Sequence, residues 1–365
     1  MSPAHPCGVA MKIFEAMEQY GHEELVFWHD QTTGLKAIVA IHNTTLGPAL
    51  GGLRMWPYET EDEAITDALR LSRGMTYKNA AMGLDLGGGK SVIWADSRHD
   101  KSEALLRSFG RLIQSLDGRY ITAEDVGVNA DDMAVISRET EFVGGLKETS
   151  GDPSPATAVG VLEGMKAAMI MAFGSDDFHG RTVAIQGLGH VGSLLGRMLL
   201  EQGAELIVTD IHPEDGREVA EELGAKWVQP DEIYGVSADI FAPCALGAVI
   251  NDDTIPEFRC KVIAGSANNQ LKEPRHGLEL LRKGIVYVPD YVINGGGVVN
   301  VADEFHRDGY HKERAYSRVR QIGKQVNEIL LHSKEENIPT QDAADRVAER
   351  RIHELGKINS TYIPE

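Results

Sequence analysis

Gly187-Leu188-Gly189-His190-Val191-Gly192 follows directly on the apolar run Thr182 to Gln186 and opens a helical stretch from Ser193 to Gln202. That order has a chemical use. Gly187 permits a tight turn, Gly189 lets backbone approach a pyrophosphate, and Gly192 lets helix and strand close up, while the helix N-terminus offers N–H groups and positive dipole to phosphate. The next apolar run, Glu205 to Thr209, ends in Asp210. A carboxylate there accepts from a ribose 2′-OH and repels a 2′-phosphate, so the set predicts a site for NAD rather than NADP. A second set carries amines and a carboxylate. Lys78 closes an amphipathic helical stretch, Lys90 follows Leu86-Gly87-Gly88-Gly89, and Asp125 stands just past the strand-like Ile121-Thr122-Ala123. Taken singly, each has an ordinary reading as a solvated lysine or a turn aspartate. Gly89-Lys90-Ser91 also imitates the end of a phosphate-binding loop. The upstream glycine and strand that such a loop needs are missing, and Asp85 stands in that stretch. The glycines predict instead a turn that admits substrate to the backbone and aims Lys90 into a cleft.

The elements that must hold these residues divide in two. A chain of 365 residues is long for one core, and 42% hydrophobic with 25% charged residues is ordinary for a globular protein. In the first part, Ile13, Phe14, Met17 and Tyr20 keep helical spacing. Leu25 to Trp28 and Leu35 to Ile41 read as strands around a Gln31-Thr32-Thr33-Gly34 turn. Ile65, Ala68, Leu69, Ser72 and Met75 share a helix face that runs to about Ala81, with Gly83 as its stop. Ser91 to Trp94 follows as a short strand, and Leu105 to Leu116 as a helix. Turn residues cluster at Thr149 to Pro153, with Ser154 as N-cap and Pro155 at the first position of the next helix. Beyond them, short apolar runs at Val183–Ile185, Leu206–Val208, Ile240–Phe241, Val262–Ile263 and Ile285–Val288 alternate with helical segments. Runs buried on both faces are parallel strands, and their alternation with helices predicts a doubly wound Rossmann sheet. Two helices close the chain, Lys312 to His332 and one from Thr340. The expected fold is therefore α/β in two domains: a mixed substrate and oligomerisation domain over 1–150, completed by a C-terminal helix over 335–365, and a Rossmann domain over 151–334.

The formal net charge of −19 argues against nucleic acid and anionic membranes as partners. The N-terminus lacks the pattern of a secretory signal, and no run approaches the ~20 apolar residues of a membrane span. Cys7, Cys244 and Cys260 are few and widely spaced, without zinc spacing, which predicts free thiols, no bound metal and a cytoplasmic setting. Cys244 reads as a small buried hydrophobe.

The stretch from Leu46 to Lys90, LGPALGGLRMWPYETEDEAITDALRLSRGMTYKNAAMGLDLGGGK, closely resembles the glutamate/leucine/phenylalanine/valine dehydrogenase superfamily, and within it the members acting on leucine. The resemblance continues through RYITAEDVG (Arg119 to Gly127), DIFAPCALGAVIN (Asp239 to Asn251), IAGSANNQL (Ile263 to Leu271) and PDYVINGGGVVNVADE (Pro289 to Glu304), and covers nearly the whole chain in order. It implies reversible NAD-dependent oxidative deamination of an amino acid to a 2-oxo acid and ammonia. By resemblance, Lys78 binds the substrate α-carboxylate, Lys90 is the general base acting through a water that attacks the imine carbon, and Asp125 moves protons to and from the amino nitrogen. Two lysines in one partly dry cleft repel, and desolvation also disfavours charge, so a lysine there titrates towards neutrality. The resemblance places Gly51 and Gly52 beside the substrate, Thr157 and Asn268 at the nicotinamide end, and Asn294 at substrate or nicotinamide. Ala242-Pro243-Cys244-Ala245 is expected to line the cofactor cleft. The side-chain pocket maps onto Leu50, Ala123, Val298 and Val301. Leu50 and Val301 stand where glutamate-specific relatives carry lysine and serine. Four aliphatic walls suit leucine, valine and isoleucine and leave a γ-carboxylate without partners.

Valine- or phenylalanine-acting enzymes are the alternatives within the class. A non-catalytic NAD(H)-binding regulatory protein would have lost Lys78, Lys90 and Asp125, and all three are present. The resemblance also implies a homo-oligomer, of eight subunits among leucine-acting members. Val128, Gly295 and Gly192 depart from residues common in the family, Val128 where threonine is usual and the glycines where alanine is found. Residues 1–10 have no assignable role.

Overall fold

The computed structural model describes residues 11–359, so the stretch 1–10 lies outside it. The chain forms two compact units. The first comprises the described residues to Gly151 and those from Arg351 on, and the second Asp152–Arg350, so the return to the first unit falls later than residue 335.

The first unit is built on a five-stranded sheet. Helix α1 (Ile13–Tyr20) leads into β1 (Glu24–Asp30), β2 (Leu35–Asn43) and β3 (Ala49–Trp56), then α2 (Glu61–Ala81), β4 (Gly87–Trp94), α3 (Glu103–Ser115), β5 (Tyr120–Glu124) and α4 (Ala130–Ile136). The order is β1-β2-β4-β3-β5, with β1, β2 and β4 antiparallel and β4, β3 and β5 parallel. The hairpin turn is as read, with Gly34 at φ 75°. Phe14, counted with the α1 face, is 81% exposed, and Ile13, Ala16, Met17 and Tyr20 do the packing. One sheet face, through Ile38, Ala40 and Val92, packs on Ala64, Ile65, Ala68 and Leu69 of α2. The other, through Val39, Leu53, Met55 and Ile93, packs on Leu105, Phe109, Leu112 and Ile113 of α3. Thr60 caps α2 by accepting from the Glu63 N–H, and Glu61, Asp62 and Glu63 suit the positive end of the helix.

Two strands depart from the sequence reading. β3 goes unread in the sequence, and Gly87-Gly88-Gly89 is not a turn but the start of the central strand β4. The reason is steric. A Cβ at Gly51 would stand 1.7 Å from the Gly89 carbonyl oxygen, and one at Gly89 would stand 2.7 Å from the Tyr120 ring. These glycines are where neighbouring strands and a buried aromatic ring come closer than any side chain permits.

Two histidines are enclosed between α1, β2 and α2. His42 sets Nδ1 against Thr76 Oγ1 at 2.8 Å and Nε2 against the Tyr20 carbonyl at 2.9 Å, and His22 Nε2 lies 2.7 Å from Ser72 Oγ. Their rings meet edge to face at 4.8 Å. Burial, then the charge of its neighbour His42, lowers the His22 pKa from 6.5 to about 4; burial lowers His42 also, with Arg73 opposing its charge and Glu23 favouring it. The unfolded chain therefore binds protons that the folded one refuses, and stability is lost as pH falls from 6.5 towards 4. The His22 share is on the order of 3 kcal/mol. Melting temperature measured from pH 7 to 4 is expected to fall less steeply in His22→Gln than in the parent. Parallel curves would dismiss this origin.

The second unit has six parallel strands: β6 (Thr182–Gln186), β7 (Glu205–Thr209), β8 (Lys226–Trp227), β9 (Ile240–Pro243), β10 (Val262–Ile263) and β11 (Val286–Tyr287). Their order, β11-β10-β9-β6-β7-β8, reverses direction between β6 and β9, the doubly wound pattern expected. Its helices are α5 (Ser154–Phe173), α6 (His190–Glu201), α7 (Pro213–Glu222), α8 (Arg275–Lys283), α9 (Asp290–Ile293), α10 (Gly296–Ala302), α11 (Lys312–Arg320) and α12 (Ile322–Glu336), and α13 (Thr340–Asn359) crosses the boundary between the units. The single helix expected over Lys312 to His332 is two, meeting at Gln321. Ser154 is the first residue of α5 rather than its cap, and the Asp152 carboxylate accepts its N–H at 2.8 Å. α5 also corrects the reading that no run approaches a membrane span. It has the length and hydropathy of one, but 56% of that window is buried, and α6, α10, α11 and α12 pack round it. A helix apolar on all sides is a core helix when its neighbours cover it.

Candidate active site

In the first unit, Leu50, Gly52 and Arg54 alternate onto one face of β3. Leu50 lies opposite Gly88 and Ile121, and Gly52 opposite Ala123. Lys90 projects from β4, and Asp125 follows β5 in a turn closed by Gly127 at φ 81°. Lys90 Nζ meets Asp125 Oδ2 at 2.8 Å, with the lysine side chain 6% exposed and the aspartate 26%. A Cβ on Gly52 would stand 2.8 Å from the Asp125 Cβ and 3.2 Å from Lys90 Nζ. Glycine at 52 therefore keeps open the space against the amine and the carboxylate. Lys78 lies half-buried in the last turn of α2. That helix crosses β4 where Thr76 touches Gly88, two residues before Lys78 on one element and before Lys90 on the other.

The electrostatics are those of a closed cluster. Burial lowers the Lys90 pKa against the pull of Asp125. Burial alone would raise Asp125, but the Lys90 and Arg54 cations outweigh it and hold the carboxyl below its ordinary value. Arg54, Asp67 and Tyr58 belong to this cluster and were not singled out in the sequence. Arg54 Nε reaches Asp125 Oδ2 at 3.0 Å, its Nη1 reaches Asp67 Oδ2 at 2.8 Å, and the Tyr58 hydroxyl donates to the same Asp67 oxygen at 2.7 Å. The signal was alternation from Gly52, readable only once β3 is known to be a strand. Val128 sends its side chain into the core on the α3 side, and its N–H donates to the Asp125 carbonyl at 3.0 Å.

In the second unit, Gly187 has φ 99°, and a Cβ there would stand 2.5 Å from that of Ala245. Gly192 lies so close beneath Gly187 that its Cβ would stand 2.0 Å from the Gly187 carbonyl oxygen, whereas at Gly189 a Cβ would meet nothing within 4 Å. The open ground is thus above Gly189, where α6 begins with His190 and Val191 and its first N–H groups have no acceptor in the helix. Leu188 is buried, and its N–H donates to Asp210 Oδ2 at 2.7 Å. Asp210 Oδ1 accepts from the His212 N–H at 2.9 Å, and both oxygens keep lone pairs for a hydroxyl. These residues fit a dinucleotide.

Further along, Asn294 Nδ2 donates to Asn268 Oδ1 at 2.6 Å and to the Ser266 carbonyl at 3.1 Å. Buried Gln270 ties the loop with Nε2 bonds to the carbonyls of Gly265 and Ala267, at 2.8 and 2.9 Å. Thr157 Oγ1 donates to the Pro153 carbonyl and lies 2.9 Å from where a Cβ of Gly297 would stand, which brings α10, carrying Val298 and Val301, onto the start of α5. Of the four expected pocket walls, Leu50 and Ala123 belong to the first unit and Val298 and Val301 to the second. The Cys244 thiol is pushed up by burial, as an inert side chain is.

Among the described residues, one grouping has metal-like spacing: Asp252, His276 and Glu279. Its hydrogen bonds oppose a metal. His276 Nδ1 accepts from the Glu273 N–H at 3.0 Å, which leaves the ring proton on Nε2, and Arg275 occupies both Asp252 oxygens.

A Rossmann unit joined in one chain to a unit holding a buried amine–carboxylate pair defines a dehydrogenase of the NAD(P)-dependent kind. Residues 22–142 match the Glu/Leu/Phe/Val dehydrogenase dimerisation domain, and residues 208–358 the Glutamate/Leucine/Phenylalanine/Valine dehydrogenase domain. The chain is 58% identical to a leucine dehydrogenase of Geobacillus stearothermophilus over 97% of its own length and 96% of that protein. It is 48% identical to a phenylalanine dehydrogenase of Lysinibacillus sphaericus over 93% of its length and 91% of the relative. The solved L-tryptophan dehydrogenase of Nostoc punctiforme superposes with a TM-score of 0.84 at 46% identity, covering 94% of this chain and 99% of that one. The chain belongs to the Glu/Leu/Phe/Val dehydrogenase family, and it is an amino-acid dehydrogenase.

Proposed function

We propose that the protein catalyses the reversible NAD-dependent oxidative deamination of branched-chain L-amino acids, leucine first with valine and isoleucine, to 2-oxo acids and ammonium. The observation that carries this reading is the buried Lys90–Asp125 pair beside Gly52, with aliphatic Leu50 four residues before Arg54 on the same strand face. Leucine dehydrogenases at 56–58% identity support the substrate.

In the proposed cycle Lys78 holds the α-carboxylate. Asp125 accepts from the substrate ammonium and takes up its proton. Bound NAD+ supplies the hydride acceptor. Loss of hydride from Cα and of a proton from nitrogen leaves an imine. Lys90, neutral when its proton is shed, draws a proton from the water that attacks the imine carbon. The collapsing carbinolamine releases ammonium. In sum, amino acid, NAD+ and water give 2-oxo acid, NADH, ammonium and a proton. The fingerprint from Gly187 to Gly192 and Asp210 would hold the adenosine half of the cofactor, with Thr157, Ala245, Asn268 and Asn294 towards the nicotinamide. Val298 and Val301 would complete the side-chain pocket.

The test is NAD+ reduction with leucine, isoleucine, valine, phenylalanine, tryptophan and glutamate, with NADP+ in parallel. The branched-chain acids are expected to lead. Glutamate is expected at least about a thousandfold behind in kcat/KM, because its carboxylate would be buried without a partner. Glutamate as best substrate overturns the pocket argument, an aromatic best substrate moves the assignment to the phenylalanine branch, and preference for NADP+ overturns the role of Asp210. We further assign the protein to the cytoplasm, as a homo-oligomer of eight subunits, on its unpaired Cys244 and Cys260 and its family.

A further inference from the structure

Two cations converge on one oxygen of Asp125. Lys90 Nζ and Arg54 Nε both bond Oδ2, and Oδ1 has no protein partner among the described residues. Arg54 is held from behind. Its other branch is fixed by Asp67 on α2, and Asp67 takes the Tyr58 hydroxyl on Oδ2 and Arg70 on Oδ1. The Arg54 side chain is 22% exposed and that of Asp67 14%, so the fork is largely withdrawn from water. Lys90, Arg54, Asp125 and Asp67 balance as two cations and two anions.

We propose that Arg54 is a positioning residue for the reaction above: clamped by Asp67, its guanidinium is a permanent counter-ion that holds Asp125 in place while Lys90 is neutral, and keeps it ionised until it takes the proton of the substrate ammonium. The inference rests on that reaction for its purpose. A base must give up its proton, and Lys90 cannot do so freely if it is the sole partner of a buried carboxylate. The pair would then trade one proton, and Asp125 would lose its charge as Lys90 lost its own. A guanidinium does not titrate in this range and bonds both carboxylates at once in a fixed plane. Its charge also repels the Lys90 proton, which favours the neutral amine. With both cations on Oδ2, Oδ1 is left for the substrate ammonium.

The experiment has two arms. In the first, kcat with leucine is followed from pH 6 to 11 in the parent, Arg54→Gln and Arg54→Lys, with melting temperature and NADH binding alongside. Arg54→Gln is expected to move the acid limb alkaline by about one pH unit and to lower kcat near neutrality at least about tenfold, with recovery above the shifted limb. Arg54→Lys, which keeps the charge without the fork, is expected to shift it less. A loss of kcat that is uniform across pH, with the limb unmoved, marks a merely structural residue and overturns the proposal. The second arm needs no Arg54 variant and no turnover. Infrared difference spectra of Lys90→Met against Lys90→Met/Asp125→Asn report the state of Asp125 when position 90 carries no charge. An ionised carboxylate at neutral pH is expected, and a protonated carboxyl overturns the proposal. If the parent oxidises no amino acid, the functional reading fails on its own, and the infrared arm still decides whether Asp125 stays ionised beside an uncharged position 90.

Discussion

Lys90→Ala is expected to give a folded protein that binds NADH and turns leucine over about 10³-fold more slowly or worse, the scale of losing a general base together with its placement of water. The fold is expected to survive because each carboxylate of the cluster keeps a cationic partner. Asp125 keeps Arg54 at 3.0 Å, and Arg54 keeps Asp67. The cost is the buried alkyl stem, roughly 1–3 kcal/mol. Asp125→Ala is the informative contrast. It leaves Lys90 and Arg54 facing each other with half the negative charge gone, a stranded-charge defect on the order of 3–5 kcal/mol. Melting curves and NADH fluorescence titrations of both variants, beside leucine turnover, separate the two losses. Lys90→Ala with ordinary kcat sinks the mechanism. Lys90→Ala that melts as early as Asp125→Ala would mean that Arg54 does not compensate Asp125.

What could be read in advance follows from what each residue answers to. The strands of the second unit were legible because they are buried on both faces, so Val183–Ile185 or Ile240–Phe241 is apolar throughout and needs no partner to be recognised. The fingerprint was legible because its glycines answer to local geometry within one strand-turn-helix. Two-residue β8 gave no signal, being too short to show any pattern. The junction of α11 and α12 at Gln321 has neither glycine nor proline to announce it. The first unit hid more. Leu50-Gly51-Gly52-Leu53-Arg54 drew no strand reading, because paired glycines weaken a strand pattern, and what demands them is the approach of strands and rings distant in the chain. With β3 unseen, Arg54 had no face and could not be placed beside Asp125, 71 positions away. Asp67 has no reading of its own in the sequence, and nothing local tells that it clamps an arginine. The amine and carboxylate proposed to do the chemistry were found through resemblance, whereas the residues that hold them needed the fold.

The same glycines set the second large effect. Gly88→Ala is expected to disable the first unit, with loss of soluble protein or a melting temperature lowered by well over ten degrees, and loss of turnover in whatever folds. The added Cβ would stand 2.0 Å from the Thr76 backbone nitrogen, 2.2 Å from its Oγ1 and 2.4 Å from its Cα. Two of those atoms are helix backbone, so no rotamer relieves them. For ordinary contact α2 must retreat by about 1.4 Å, beyond the overpacking that costs roughly 1–3 kcal/mol in yielding cores. The retreat would draw Thr76 from His42, now 2.8 Å away, and carry Lys78 with it. An isolated glycine effect is excluded by a control on the same helix. Gly74 is exposed with nothing within 4 Å of its absent Cβ, so Gly74→Ala is expected to raise stability by up to about 1 kcal/mol through helix propensity alone. Comparing melting temperature and leucine kcat of the two variants decides the matter. If Gly88→Ala melts with the parent, α2 does not lie on β4 as described, and the placement of Lys78 beside the Lys90 face falls with it.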